Sequence, residues 1–214
     1  MKLKVCGMRD TANITELLEL KPDFVGFIFY DKSARYVADT LDEALLRSFP
    51  KAIKKVGVFV NANLDTILKI VKKYDLSYVQ LHGNETPDFC RLLKSRGVNI
   101  IRAFSIDESF NFWSLNNYKP HCDYFLFDAK GPNPGGNGVA FDWEILKRYD
   151  NEKPFFLSGG LSLDNIAQVA DLKGLKIYGL DVNSKFETSP AMKDIEKLRQ
   201  LVEILRPVEE EIEV

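Results

Sequence analysis

Cys6 stands where the run KLKV gives way to GMRD, so a thiol lies where a strand ends and a loop begins. Cysteine is usually a small buried hydrophobe, and core filling is its default role here. Asp128 closes a second apolar run, YFLF, and leads into AKGPNPGGNG. Its plain reading is a turn cap; its chemical reading is an acid or base. Two junctions suggest anion binding. SGG at 158–160 follows PFFL; paired glycines let backbone N–H groups approach a phosphate, and Ser162 is placed to cap a following helix. An ordinary tight turn has the same composition. DVNS at 181–184 adds Asn183 and Ser184 as donors. Arg35, in the loop DKSARY, is either solvated or turned over the site to grip a carboxylate with two parallel N–H bonds. His82 ends YVQL and is by default a hydrogen-bonded filler.

Positioning such groups requires a frame. The 214 residues, 45% hydrophobic and 28% charged, have ordinary globular composition. A net charge of -2 gives no reason to expect nucleic acid or a membrane surface as partner. No apolar run approaches the roughly 20 residues of a membrane span, and the N-terminus lacks a signal-peptide core. A cytoplasmic protein is expected. Cys6, Cys90 and Cys122 suit no disulfide framework, and no Cys or His pair has zinc-ligand spacing. Neither a metal nor another cofactor is expected.

Strands are predicted at 2–5, 24–29, 55–60, 78–81, 99–104, 124–127, 154–157 and 177–182. Most are continuous apolar runs, as in parallel strands buried on both faces. Helical spacing lies between them: Leu64, Ile67, Leu68 and Val71 form one stripe, and Ile195, Leu198, Val202 and Leu205 another. TPDFCRLLKSRG has a proline near a helix start and Gly97 beyond its end. Units repeating at about 25 residues satisfy the crossover requirement of parallel strands. They predict an α/β fold, a single-domain (β/α)8 TIM barrel over 1–207, followed by an acidic tail at 208–214. The alternative, an open doubly wound sheet, favours a glycine-rich dinucleotide fingerprint after its first strand, where this chain has VCGMRD.

A barrel carries its active site at the C-terminal ends of its strands. Cys6 ends the first and Asp128 the sixth, so they face each other across the mouth, next to the phosphate junctions of strands seven and eight. An acid and a base flanking a small phosphorylated molecule suit proton transfer, as in isomerisation. The glycine-rich segment 131–138 reads either as a flexible surface turn or as a lid that excludes water.

The ordered motifs KVCGMRD, VGFIFYDKSARYV, VGVFVNAN, VQLHGNE, FDAKGPNPGGNGVAFDW and FLSGGLSLDNI resemble the phosphoribosylanthranilate isomerase family over nearly the whole chain. The resemblance implies an aldose-ketose isomerase of tryptophan biosynthesis. Its reaction is a cofactor-free Amadori rearrangement of N-(5-phosphoribosyl)anthranilate to 1-(2-carboxyphenylamino)-1-deoxyribulose 5-phosphate. It further implies Cys6 as general base and Asp128 as general acid. Arg35 would hold the anthranilate carboxylate. Gly159, Gly160, Asn183 and Ser184 would hold phosphate, with His82 and Asp181 beside the substrate. A thiolate is a competent base if positive charge or N–H donors lower its free pKa of about 8.5.

This chain departs from the family at Asn183, Lys185 and Ala191, where serine, glycine and glycine are common. Lys185 is expected either to keep ordinary dihedrals with its ammonium in water or to reach the phosphate as a point charge. Rival readings are a non-catalytic phosphometabolite-binding barrel and another sugar-phosphate isomerase or epimerase. The assembly expected is a monomer or homodimer.

Overall fold

The computed structural model describes residues 1–37, 40–129 and 143–207. Both the glycine-rich segment 131–138 and the acidic tail 208–214 lie outside the described residues. Eight parallel strands close into a barrel in sequence order. They are β1 (Lys2–Val5), β2 (Phe24–Ile28), β3 (Lys54–Phe59), β4 (Tyr78–Leu81), β5 (Ile100–Ile106), β6 (Tyr124–Ala129), β7 (Phe155–Ser158) and β8 (Ile177–Val182). Each predicted strand is present to within two residues at either end. β8 pairs back onto β1 through Gly179↔Lys2 and Asp181↔Lys4, which closes the ring.

The crossovers divide into two kinds. After β1 to β4 come the α-helices α1 (Thr11–Glu19), α2 (Glu43–Arg47), α3 (Leu64–Tyr74) and α4 (Pro87–Ser95). Asn63 and Thr86 cap α3 and α4 by accepting from the N–H groups of Thr66 and Phe89. Pro87 occupies the first turn of α4, and Gly97 follows its end at φ +78°. After β5, β6 and β7 the described residues hold 3₁₀ segments in place of α-helices, Phe112–Asn117, Trp143–Arg148 and Ile166–Asp171. The first, FWSLNN, combines aromatic residues and asparagines that lose freedom in a helix or compete with its backbone bonds. Ser162 does not cap the third by its side chain; Asn165 Oδ1 accepts from the Ser162 N–H and closes the turn. Beyond β8 a small antiparallel hairpin, β9 (Glu187–Ser189) with β10 (Met192–Lys193), precedes α5 (Ile195–Leu205).

Two cores result. The outer one lies between barrel and helices and includes Val5, Phe27, Phe59, Phe125, Phe127, Phe155 and Leu180, all buried, with Ile67, Leu198 and Leu201 from α3 and α5. Burial of each such side chain stabilises the fold by about 1.5–3 kcal/mol. The inner core, Phe24, Val56, Ile101, Ala103, Leu126 and Phe156, is joined by Tyr78, Tyr124 and Tyr178. Its rings interlock, Phe24 edge-on to Phe156 at 5.1 Å and Tyr124 against Tyr178 at 4.4 Å, and floor the barrel at the N-terminal ends of the strands.

The register decides which residues look inward. Parallel partners share a face, so Lys4, Phe24, Val56, Tyr78, Ile101, Tyr124 and Asp181 point into the barrel, as do residues two further along each strand. Above the aromatic floor that inward face is polar: Lys4 and Cys6, Gln80 and His82, Ser105, Asp128, Ser158 and Asp181. Gly26 makes space there, since a Cβ at this position would lie 2.7 Å from Cys6 Sγ and 3.1 Å from Cys6 Cα. Gly26→Ala is therefore expected to lose about 1–3 kcal/mol by overpacking, read as a lower Tm, and to displace the thiol, read as a changed rate of Cys6 alkylation.

Candidate active site

Cys6 lies at the C-terminal end of β1, its N–H donating to Val182 O at 2.9 Å, and its side chain is buried. Beneath it on the same face, Lys4 is completely buried, with Nζ 2.8 Å from Asp181 Oδ1. Burial holds the Cys6 thiol above its ordinary pKa and Asp181 adds to this; Lys4 and Lys193 oppose the rise without reversing it. Burial also works against the Lys4 ammonium, but Asp181 and Cys6 together hold its pKa above the ordinary lysine value. The Asp181 carboxyl is raised by burial, with Lys4 opposing.

Across the mouth, Asp128 at the end of β6 faces His82 at the end of β4, Nε2 to Oδ2 at 3.4 Å. Behind the imidazole, Gln80 Nε2 is 3.0 Å from His82 Nδ1. The other ring nitrogen, Nε2, is thereby turned toward Asp128. The loop after His82 is pinned. Glu85 accepts from the N–H groups of Asn61 and Gly83, and Arg102 donates to the carbonyls of Leu81 and Gly83. The histidine is thus held at the mouth between Gln80 and Asp128.

Arg35 reaches the same region from the loop after β2. Its Nε and Nη2 fork onto Glu187, with a shortest contact of 2.6 Å to Oε2. Glu187, only 4% exposed, also accepts from Lys193 Nζ at 2.6 Å. Lys193 in turn donates to Asn183 Oδ1 at 2.7 Å. A Cβ on Gly7 would lie 2.8 Å from both Arg35 Cδ and Asn183 Oδ1, so the turn after β1 closes around this cluster. Burial raises the Glu187 carboxyl, but Arg35 and Lys193 overcome it and leave the pKa below the usual carboxylate range.

Gly159 and Gly160 follow β7 at φ +90° and +68°, beside the end of β8. Asn183 commits its carbonyl oxygen to Lys193, which leaves its amide nitrogen and the exposed Ser184 as the side-chain donors of the eighth junction. Lys185 is exposed in the turn Ser184–Phe186 and is not among the residues with positive φ. Its backbone carries no left-handed strain. Ala191 differs: it stands at φ +68° where glycine is common, with its N–H donating to Glu187 Oε1 at 3.2 Å. Among the described residues no group of three His, Cys, Asp or Glu side chains could hold a metal ion. No helix among them is long and apolar enough to cross a membrane. A cavity of about 750 Å³ opens at the opposite end of the barrel, lined by Met1, Pro22, Asp23, Tyr178 and Arg206, and involves none of the candidate residues.

Every candidate position is therefore at the mouth. Lys4, Gln80, Glu187 and Lys193 are additions. The first two were accessible through strand alternation, since they precede Cys6 and His82 by two residues and so share their face. The other two owe their place to the hairpin, for which a three-residue strand gives little signal.

Comparison with known proteins is consistent across sequence and structure. The family model described as N-(5'phosphoribosyl)anthranilate (PRA) isomerase matches residues 3–204. An N-(5'-phosphoribosyl)anthranilate isomerase of Parabacteroides distasonis is 42% identical over 212 residues, covering 98% of this chain and 96% of the relative. The crystal structure of phosphoribosyl anthranilate isomerase from Thermus thermophilus superposes with a TM-score of 0.83 at 27% identity, covering 96% of this chain and 98% of that one. A further phosphoribosyl anthranilate isomerase, in complex with reduced 1-(o-carboxyphenylamino)-1-deoxyribulose 5-phosphate, gives 0.75 at 28% identity, covering 95% and 97%.

Two outcomes follow from the hairpin cluster. The Glu187 carboxylate contributes fully above its unfolded pKa of about 4.3 and is lost as pH falls through its lower folded value. Glu187→Gln is expected to cost about 3–5 kcal/mol at neutral pH, because it strands two partly buried cations, and to flatten the stability loss between pH 5 and 3 (roughly the carboxylate range); urea unfolding across that range measures both. Ala191→Gly is expected to gain up to about 1 kcal/mol by relieving left-handed strain, visible as a higher Tm.

Proposed function

The chain belongs to the N-(5'-phosphoribosyl)anthranilate isomerase family, and from that membership we propose how its residues divide the Amadori rearrangement of N-(5-phosphoribosyl)anthranilate among them. The observation that carries the reading is the opposition of Cys6 and Asp128, inward-facing on strands that stand across the mouth from each other. Asp128, as general acid, gives its proton to the ring oxygen while the furanose opens to an iminium at C1′. Cys6, as thiolate, then removes the C2′ proton; the resulting enolamine tautomerises to the amino ketone, 1-(2-carboxyphenylamino)-1-deoxyribulose 5-phosphate. No electrons leave the substrate: C1′ is reduced as C2′ is oxidised.

Binding falls to the surrounding groups. The Gly159–Gly160 turn and the Asn183–Ser184 junction supply N–H and side-chain donors to the phosphate. Arg35 takes the anthranilate carboxylate. Glu187 engages its Nε–Nη2 edge, which holds the guanidinium plane in place and leaves the Nη1 side for the substrate. His82, aimed at Asp128 by Gln80, orients the acid. Asp181 acts from below through Lys4.

Purified protein is expected to consume the fluorescent anthranilate substrate; failure to do so overturns the reading. Cys6→Ser and Asp128→Asn should each keep the fold and lose about 10²–10⁴-fold in kcat. If Cys6 were core filling, Cys6→Ser would lower Tm and leave kcat per folded molecule intact. Arg35→Met should raise KM far more than it lowers kcat, because it removes a bidentate grip and leaves acid and base in place. Steady-state kinetics and melting curves on the same preparations separate these cases.

A further inference from the structure

We propose that Lys4 is the counter-ion of the Cys6 thiolate: a positioning residue that holds the base in its reactive state while Asp181 holds Lys4 in place. The proposal rests on the assignment of Cys6 as general base. A lysine without solvent exposure inside a barrel serves neither solubility nor apolar packing. Its ammonium carries three donors, and Asp181 Oδ1 accepts one of them. Cys6 is two residues further along the same strand and faces the same way, and Gly26 leaves room for its sulfur.

The charges around the thiol come from several elements. Lys4 approaches from β1, Asp181 from β8, Lys193 from β10 and Arg35 from the loop after β2. Glu187 on β9 engages both Arg35 and Lys193, so their positive charge is partly spent before it reaches the sulfur. Asp128 and His82 face Asp181 from the far side of the mouth. Lys4 is the foremost of the groups that favour the thiolate, and it opposes the burial that disfavours it.

One cation is thus shared by two anions. With the thiolate formed, the ammonium lies between sulfur and carboxylate, and the three groups carry one net negative charge. When Cys6 takes the C2′ proton the sulfur becomes neutral, the ammonium turns wholly to Asp181, and the trio is neutral. Asp181 keeps the lysine charged throughout, so the same residue serves the base before and after each turnover.

The test is the pH dependence of Cys6 alkylation by iodoacetamide, read by peptide mass so that Cys90 and Cys122 are counted separately. Lys4→Met is expected to raise the apparent thiol pKa and slow Cys6 alkylation near neutral pH about tenfold or more, a full pKa unit. Asp181→Asn should shift it the other way. The double variant, Lys4→Met with Asp181→Asn, leaves no unpaired buried charge and keeps the test open if the single variant does not fold; its thiol should titrate above wild type. A thiol that titrates as wild type or lower in the folded Lys4 variants overturns the proposal, and does so without touching the base assignment if Cys6→Ser remains inactive. In the variants that shift, the acid limb of kcat/KM should move with the thiol. A limb that stays put while the thiol moves refutes Cys6 as the base, and with it any role for Lys4 in the reaction.

Discussion

The barrel closes where β8 returns to β1, and one of the four residue pairs at that seam is Lys4 with Asp181. A buried ion pair is seldom the cheapest way to join two strands, because both charges must leave water. Two apolar residues of similar volume would serve closure as well. Their presence makes sense in terms of what stands one step above, a thiol at the rim of the same strand. Register, chemistry and closure are therefore joined in one contact: a slip of one residue between β1 and β8 would turn Lys4 and Cys6 toward the helices.

The hairpin after β8 does for Arg35 what the seam does for Cys6. Arg35 and Glu187 are 152 positions apart, yet their forked bond fixes a guanidinium that would otherwise sample many rotamers. Lys193 joins the same carboxylate and reaches on to Asn183, so Arg35 and the eighth junction, to which we assign the substrate carboxylate and phosphate, share one scaffold. Ala191 carries the left-handed turn of this hairpin and donates its N–H to Glu187, which ties its backbone conformation to the same network.

Much of this was legible beforehand because parallel strands buried on both faces leave long apolar runs, and because strand ends are where a barrel keeps its chemistry. The placement of Cys6, His82, Asp128 and Asp181 at strand ends follows in that way. The 3₁₀ crossovers were not: in FWSLNN the serine and asparagines compete for backbone hydrogen bonds, a local effect that no apolar spacing announces. Glu187 and Lys193 were hidden for a different reason. Their partners are remote in sequence, and a charged residue in a short loop looks solvated until the fold brings it back. Asn165, rather than Ser162, closes the seventh junction because an asparagine can offer both acceptor and donor to one turn.

The aromatic floor has a bearing on how this molecule opens. Interlocked rings of Phe24, Tyr124, Phe156 and Tyr178 bind β2, β6, β7 and β8 together at the N-terminal end of the barrel. Among the described residues the polar mouth has no comparable plug. Amide hydrogens in the lower halves of the strands should therefore exchange only on global unfolding, while those near Cys6, His82 and Asp128 exchange through smaller, local openings. Such a gradient separates inheritance from innovation: side chains at the rim can be replaced in turn while the floor keeps the barrel closed.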